Sequence, residues 1–227
     1  LNTLTQPDAA LRGQLDIAIT ELRWLELMIP GIRQRSGSLA GQLTLTGTRT
    51  APRLQGAMTL ENGETDIAAA GLTLRDIHAT LNAEGKQLRI SGGAKSGPGS
   101  VDVTGHLDLA GGLPGQLELQ ATGERFQIID LPEARVLVNP SVTLSGNTRL
   151  FRLRGDIDIP EARLTPVQLP EMAVRVSEDQ IIVNSLQEPA EPLQVDAELM
   201  LRIGKDVRFS GFGLDARLGG NLQFIMK

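Results

Sequence analysis

Apolar and polar residues alternate along this chain with a period of two, in runs separated by Gly, Asn-Gly and Gly-Gly. In VDVTGHLDLAG (101–111), Val101, Val103, Leu107 and Leu109 take one parity while Asp102, Thr104, His106 and Asp108 take the other. That is a strand with one oily face and one wet face. The pattern recurs in GQLDIAIT (13–20), GQLTLTG (41–47), RLQGAMTL (53–60), TDIAAAG (65–71), IHATLNA (77–83), QLRISG (87–92) and GQLELQATG (115–123). It continues in RLFRLRGDIDI (149–159), PLQVDAELMLRI (192–203), DVRFSGFG (206–213) and ARLGGNLQF (216–224). With weaker runs between them, the spacing predicts about 16 strands in a meander, with Asn62-Gly63 and Gly111-Gly112 as turns. Helical spacing is confined to ELRWLELM (21–28), where Leu22, Leu25 and Met28 can share a face before Pro30 and Gly31 stop it, so at most one short helix is expected near 21–29. No segment offers the helical crossover of a βαβ unit, so the sheet is predicted to be antiparallel and the fold all-β. GQLTLTG returns loosely as GQLDIAI, GHLDLAG and GQLELQATG, the mark of an array of similar hairpins forming one elongated unit over 1–227.

An oily face must be covered by something. On that parity stand Leu43, Leu45, Met58, Leu60, Ile67, Leu81, Leu88, Ile90, Val101, Val103, Leu107, Leu117, Leu119, Ile157, Ile159, Val195, Leu199, Leu201, Val207, Phe209, Leu222 and Phe224. A sealed sandwich or solenoid, acting as a dry spacer, would bury them against each other. About 16 strands at roughly 4.8 Å spacing, however, make a ribbon about 75 Å long, more than an open twisted sheet carries without curling. Curling gives a half-pipe with a hydrophobic groove, and these residues are its expected lining.

Composition narrows the choice. Aromatic residues make up 3% of the chain, with no Tyr and one Trp, which is little for a compact sandwich core and too little for the aromatic girdles of an outer-membrane barrel. The net charge of -5 and the scattered basic residues give no footprint for nucleic acid or for an anionic membrane surface. The longest apolar-rich stretch, LRWLELMIPGI (22–32), carries Arg23 and Glu26 and is broken by Pro30, so it reads as neither a membrane span nor a signal core. With no Cys there is no disulfide or thiolate chemistry.

Catalytic patterns are weak. His78 and His106 sit singly on polar parity, without the company a metal site needs. GGAKSG (92–97) lacks the phosphate-loop spacing and reads as a turn, with Gly-Pro-Gly (97–99) as a flexible tip. Asp156 and Asp158 share a face in GDIDI, yet no aromatic groove accompanies them to stack a sugar. No enzyme, cofactor or metal is expected.

Two stretches then carry a resemblance. GDIDIPEARLTPVQLPEMAVRVSEDQIIV (155–183) and RIGKDVRFSGFGLDARLGGNL (202–222) resemble the C-terminal region of the TamB family, the AsmA-like inner-membrane subunits of the translocation and assembly module. The pattern is Gly155, Ile157, Ile159-Pro160, Ala162, Leu169-Pro170, Ser177, Asp179, Gly204, Asp206-Val207, Gly211-Phe212-Gly213-Leu214 and Ala216-Arg217-Leu218. Upstream, 36–63 and 71–81 are similar to the family's repeated hairpins. The resemblance implies a curled sheet called a β-taco, spanning the periplasm of a Gram-negative bacterium. Its implied partners are phospholipid acyl chains, a TamA-like outer-membrane barrel and nascent outer-membrane proteins. Lacking an N-terminal anchor and stopping in mid-pattern at Lys227, the chain is expected to be a piece of a larger protein. Gly211, Gly213, Gly219 and Gly220 are expected to permit tight turns or close strand approach, and Pro160, Pro166 and Pro170 to mark strand ends or edges.

Overall fold

Alternation this regular leaves the backbone one way to satisfy its hydrogen bonds, by pairing each strand with the next. The structure, a computed structural model, describes residues 10–226 apart from 49, 111–112, 148 and 167–193. The strands are β1 (Gly13–Ile19), β2 (Ile32–Gly47), β3 (Pro52–Ile67), β4 (Leu72–Gly85), β5 (Gln87–Ser96) and β6 (Gly99–Ala110). They continue as β7 (Leu113–Glu124), β8 (Phe126–Leu131), β9 (Ala134–Gly146), β10 (Leu150–Leu164), β11 (Gln194–Gly211) and β12 (Leu214–Met226). Among the described residues these form one curled, open sheet of 12 strands in chain order, with β8 set beside β9 off the main path. β1 and β12 are its free edges. The predicted all-β half-pipe is what the chain adopts.

Among the described residues the strands are fewer than the alternation predicts there because several breaks in period are bulges, and the runs between 167 and 193 lie outside the described residues. Asn62 takes φ 54° while Gly63 is not left-handed, so the pair cannot form the two-residue turn that needs positive φ at both positions. The register instead shifts between Leu60 and Gly63, and the runs 53–60 and 65–67 join in β3. Asp76 (φ 50°) marks a similar shift in β4, and another between Ile203 and Val207 joins the two halves of β11. Pro160 falls within the shift between Ile159 and Glu161 in β10 rather than at a strand end, since a bulge position tolerates a missing donor. Pro166 follows β10, while Leu169, Pro170, Ser177 and Asp179 lie outside the described residues. Bulged strands bend, and these shifts fall toward the same end of neighbouring strands, so their bends add into a crease.

Two further expectations are corrected. β10 and β11 pair in parallel, from Leu150 opposite Gln194 to Leu164 opposite Phe209. A parallel pair needs a dozen or more residues of return path, and the chain between Leu164 and Gln194 is long enough without helical periodicity. GGAKSG is mostly strand: Gly92 to Ser96 pair with β6, and only Gly97-Pro98 make the turn.

The helical stretch is shorter than its pattern, one turn α1 over Leu25–Met28. Leu22 is buried beside Gly37, and the backbone N–H of Gln34 donates to the Glu26 carboxylate at 2.7 Å. β8 continues β7 along one side of β9 after a kink at Arg125 (φ 47°), which brings it against β4, β5 and β6. There Ser96 and Gln127 are buried, with the Ser96 hydroxyl donating to the Gln127 carbonyl at 2.7 Å. The buried hydrophobic residues among those described are Leu22, Leu72, Ala83, Leu137, Val138, Ala162, Ala197 and Val207. That is too small a set to be the core of a sealed sandwich.

Candidate functional site

The pairing register brings the oily parity of every hairpin onto one face. One row crosses the sheet at right angles to the strands: Ile17, Gly41, Met58, Leu81, Ile90, Gly105, Leu119, Leu144, Leu153, Ala197 and Met226, each opposite the next. A second runs Leu15, Leu43, Gly56, Ala83, Leu88, Leu107, Leu117, Gly146, Phe151 and Val195. A third runs Ile19, Leu39, Leu60, Ala79, Gly92, Val103, Ala121, Val142, Gly155, Leu199 and Phe224. No polar residue interrupts these rows.

The remaining expected residues extend the same face. Leu45 pairs with Leu54, Ala94 with Val101, and Ile157 with Leu201, which in turn faces Leu222. Ile159 pairs with Ile203, and Phe209 with Leu164 and Ala216. Ile67 lies beyond the β3 bulges, between Ile32 and Leu72. Val207 differs in being 4% exposed, so protein atoms already cover it. Most of the others are half-buried, and toward β12 the face opens further, with Leu222 57% and Phe224 47% exposed. Sequence reading missed Leu39, Val142, Leu144, Phe151 and Leu153, although SVTLSG (141–146) alternates as clearly as its neighbours.

Small residues stand among the large ones in each row, and at some positions the reason is steric. At Gly56, whose φ is 126°, an added Cβ would fall 2.0 Å from the Gln42 carbonyl oxygen, so neither the backbone conformation nor the space there admits a side chain. Gly219 and Gly220 do not play that part, since a Cβ there meets nothing within 4 Å.

The opposite face is polar and laced with cross-strand ion pairs. Arg202 binds Asp156 (2.6 Å) and Asp158 (3.0 Å), which gives those carboxylates a structural partner. Arg154 binds Asp196 and Glu198, and Arg35 binds Asp66 and Glu64. A hydrogen bond from Thr73 and then the charge-assisted bond from Arg35 hold the Asp66 carboxyl below its ordinary 3.8, and Lys95 does the same for Asp76. His78 is exposed, with Nδ1 2.9 Å from the Asp76 carbonyl oxygen, and His106 stands opposite Arg89 and Glu118.

Among the described residues the sheet is an open gutter, antiparallel but for the β10–β11 pair, with apolar rows on its inner face and ion pairs on its outer one. The chain belongs to the TamB C-terminal domain family, whose model matches residues 86–227. It is 26% identical over 237 residues to the translocation and assembly module subunit TamB of Haemophilus influenzae, an alignment that covers 98% of this chain and 18% of that protein. The chain therefore spans about a fifth of the length of this relative. No solved structure matches.

Proposed function

We propose that the trough shields phospholipid acyl chains on their way to the outer membrane, as one periplasmic segment of an inner-membrane-anchored translocation and assembly module subunit that also supports outer-membrane protein assembly with TamA. The observation that carries this reading is the run of three apolar rows from β1 toward β12 with no layer over them among the described residues. Each buried CH₂ gains about 0.8 kcal/mol, so an acyl chain of about 16 carbons crossing water bare costs on the order of 13 kcal/mol. A continuous aliphatic lining removes most of that barrier. Offering no hydrogen bonds and few stacking planes, it holds tails weakly, which suits movement along the groove. The reading assigns transport and assembly, not catalysis.

The test is native mass spectrometry of the chain purified without detergent and then offered phosphatidylethanolamine. Bound phospholipid is expected, and Val103→Asp is expected to remove it while leaving the far-ultraviolet circular dichroism of the sheet intact. A wild-type chain that stays folded yet takes up no lipid overturns the proposal, as does a Val103→Asp chain that unfolds, because an uncovered position tolerates a carboxylate and a packed one does not.

One observation favours a second role. β12 is a free edge along Leu214–Met226, able to accept a nascent outer-membrane strand by backbone pairing. Crosslinks from β12 backbone positions to unfolded barrel clients support that chaperone role, and crosslinks confined to the trough rows count against it.

A further inference from the structure

Four arginines fall in one register row on the polar face. Arg135 lies opposite Arg163, Arg163 opposite Arg208, and Arg208 opposite Arg217, across β9, β10, β11 and β12. Like charges directly opposite one another weaken strand pairing. Elsewhere on this face Arg35, Arg89, Arg125, Arg154 and Arg202 each take a carboxylate partner. Among the described residues no carboxylate comes within ion-pair distance of the four. Glu161 is occupied by Arg125 at 2.9 Å, Asp130 stands directly opposite Arg135 without an ion pair, and Asp206 and Asp215 lie two residues along the strand from Arg208 and Arg217. Three of the arginines, with the hydroxyl residues Thr165 and Ser210, line a cleft of about 520 Å³ that Asp215 also borders.

Just beyond this cleft the β11–β12 hairpin ends in Phe212-Gly213, with φ 53° and 78°. A two-residue turn of this kind favours Asn at its first position, and a bulky residue with positive φ is unusual. Phe212 nonetheless occupies it, touches only Phe209 among ring neighbours, and remains 68% exposed beside Leu214 at 57%. Folding accounts for neither feature. An apolar tip above a collar of arginines that have no carboxylate partner among the described residues has the chemistry of a phospholipid surface, where hydrocarbon lies beneath a layer of phosphates.

We infer that the β11–β12 hairpin tip docks on a phospholipid bilayer, with Phe212 and Leu214 entering the headgroup layer and Arg163, Arg208 and Arg217 binding lipid phosphates. Arg208 precedes Phe212 by four residues and Arg217 follows Leu214 by three, a rise of about 10–13 Å that long arginine side chains can span toward the tip. An interfacial element buries its apolar face about 5–10 Å deep, somewhat less than that separation, and the arginine side chains reach across the difference. Docking is independent of what the trough carries.

The experiment is flotation of the 227-residue chain with vesicles of phosphatidylcholine alone and of phosphatidylcholine with an equal part of phosphatidylglycerol. The chain is expected to float with the anionic vesicles and to be released by salt. Arg208→Gln weakens binding about fivefold, the share of one arginine at an anionic surface. Phe212→Asn weakens it about tenfold or more. Both variants melt at or above the wild-type temperature, because one relieves like-charge repulsion and the other suits the turn. Lipid in the trough, read separately by native mass spectrometry, persists in both. Equal binding to neutral and anionic vesicles overturns the inference, and so does wild-type flotation by both variants, whatever the trough contains.

Discussion

Gly105 lies so close beneath β7 that a Cβ placed on it would stand 2.0 Å from the carbonyl oxygen of Glu118. Its φ is not left-handed, so the constraint is space alone. The curl of the sheet depends on such missing side chains, because the inner face of a tightly bent ladder has the least room. Gly105→Ala is therefore expected to destabilise the chain by about 1–3 kcal/mol, read from chemical denaturation, through forced separation of β6 and β7. Loss of under a few tenths of a kcal/mol would show that the curl has another origin.

The large buried side chains of the described residues lie apart from the apolar rows, whose members are mostly half-buried. Leu137 is 1% exposed where β8 crosses the neighbouring strand ends, whereas Leu222 is 57% exposed. Leu137→Ala is expected to cost about 2–5 kcal/mol as a cavity. Leu222→Ala should stay within about 0.5 kcal/mol in the absence of lipid. Similar costs at both sites would mean that the trough is filled by protein.

Asn62 holds a left-handed bulge, a conformation that suits Gly or Asn and penalises β-branched residues. Asn62→Gly should be nearly neutral, and Asn62→Val should lose about 1–2 kcal/mol by the same denaturation measurement. Indifference to Val would place the bend elsewhere in β3.

Asp66 accepts bonds from the Thr73 hydroxyl and the Arg35 guanidinium, both at 2.7 Å, and these depress its pKa below 3.8. A carboxylate depressed by folding adds stability above its ordinary value and loses it as pH falls toward and through the depressed one. The melting-temperature gap between the wild type and Asp66→Asn should be widest near neutrality and close as the medium is acidified past 3.8. A gap that widens on acidification would reverse the sign of this coupling.

How much of this was legible in the chain follows from what each feature depends on. Val103, Leu107 and Leu119 announce their face locally, because alternation is a property of neighbours in sequence and survives into the pleat. The bend at Asn62 looked like a turn, because an Asn-Gly pair fits either geometry, and the bend at Asp76 gave no signal, because a positive φ leaves no trace in composition. The cover of β8 over Ser96, and the parallel run of β10 with β11, are relations between distant segments that no local pattern encodes. Arg135, Arg163, Arg208 and Arg217 were visible as single outward charges, and only the register shows that they form a line.

The three apolar rows also set how such a protein can change in size. Every row meets the strands at right angles and reaches β1 at one margin and β11 or β12 at the other, so each inserted hairpin lengthens the channel by about two strand spacings, close to 10 Å, without altering its cross-section. Hairpin duplication therefore acts as a ruler: the length of the trough is set by counting strands, with each newcomer required only to present the same oily parity inward.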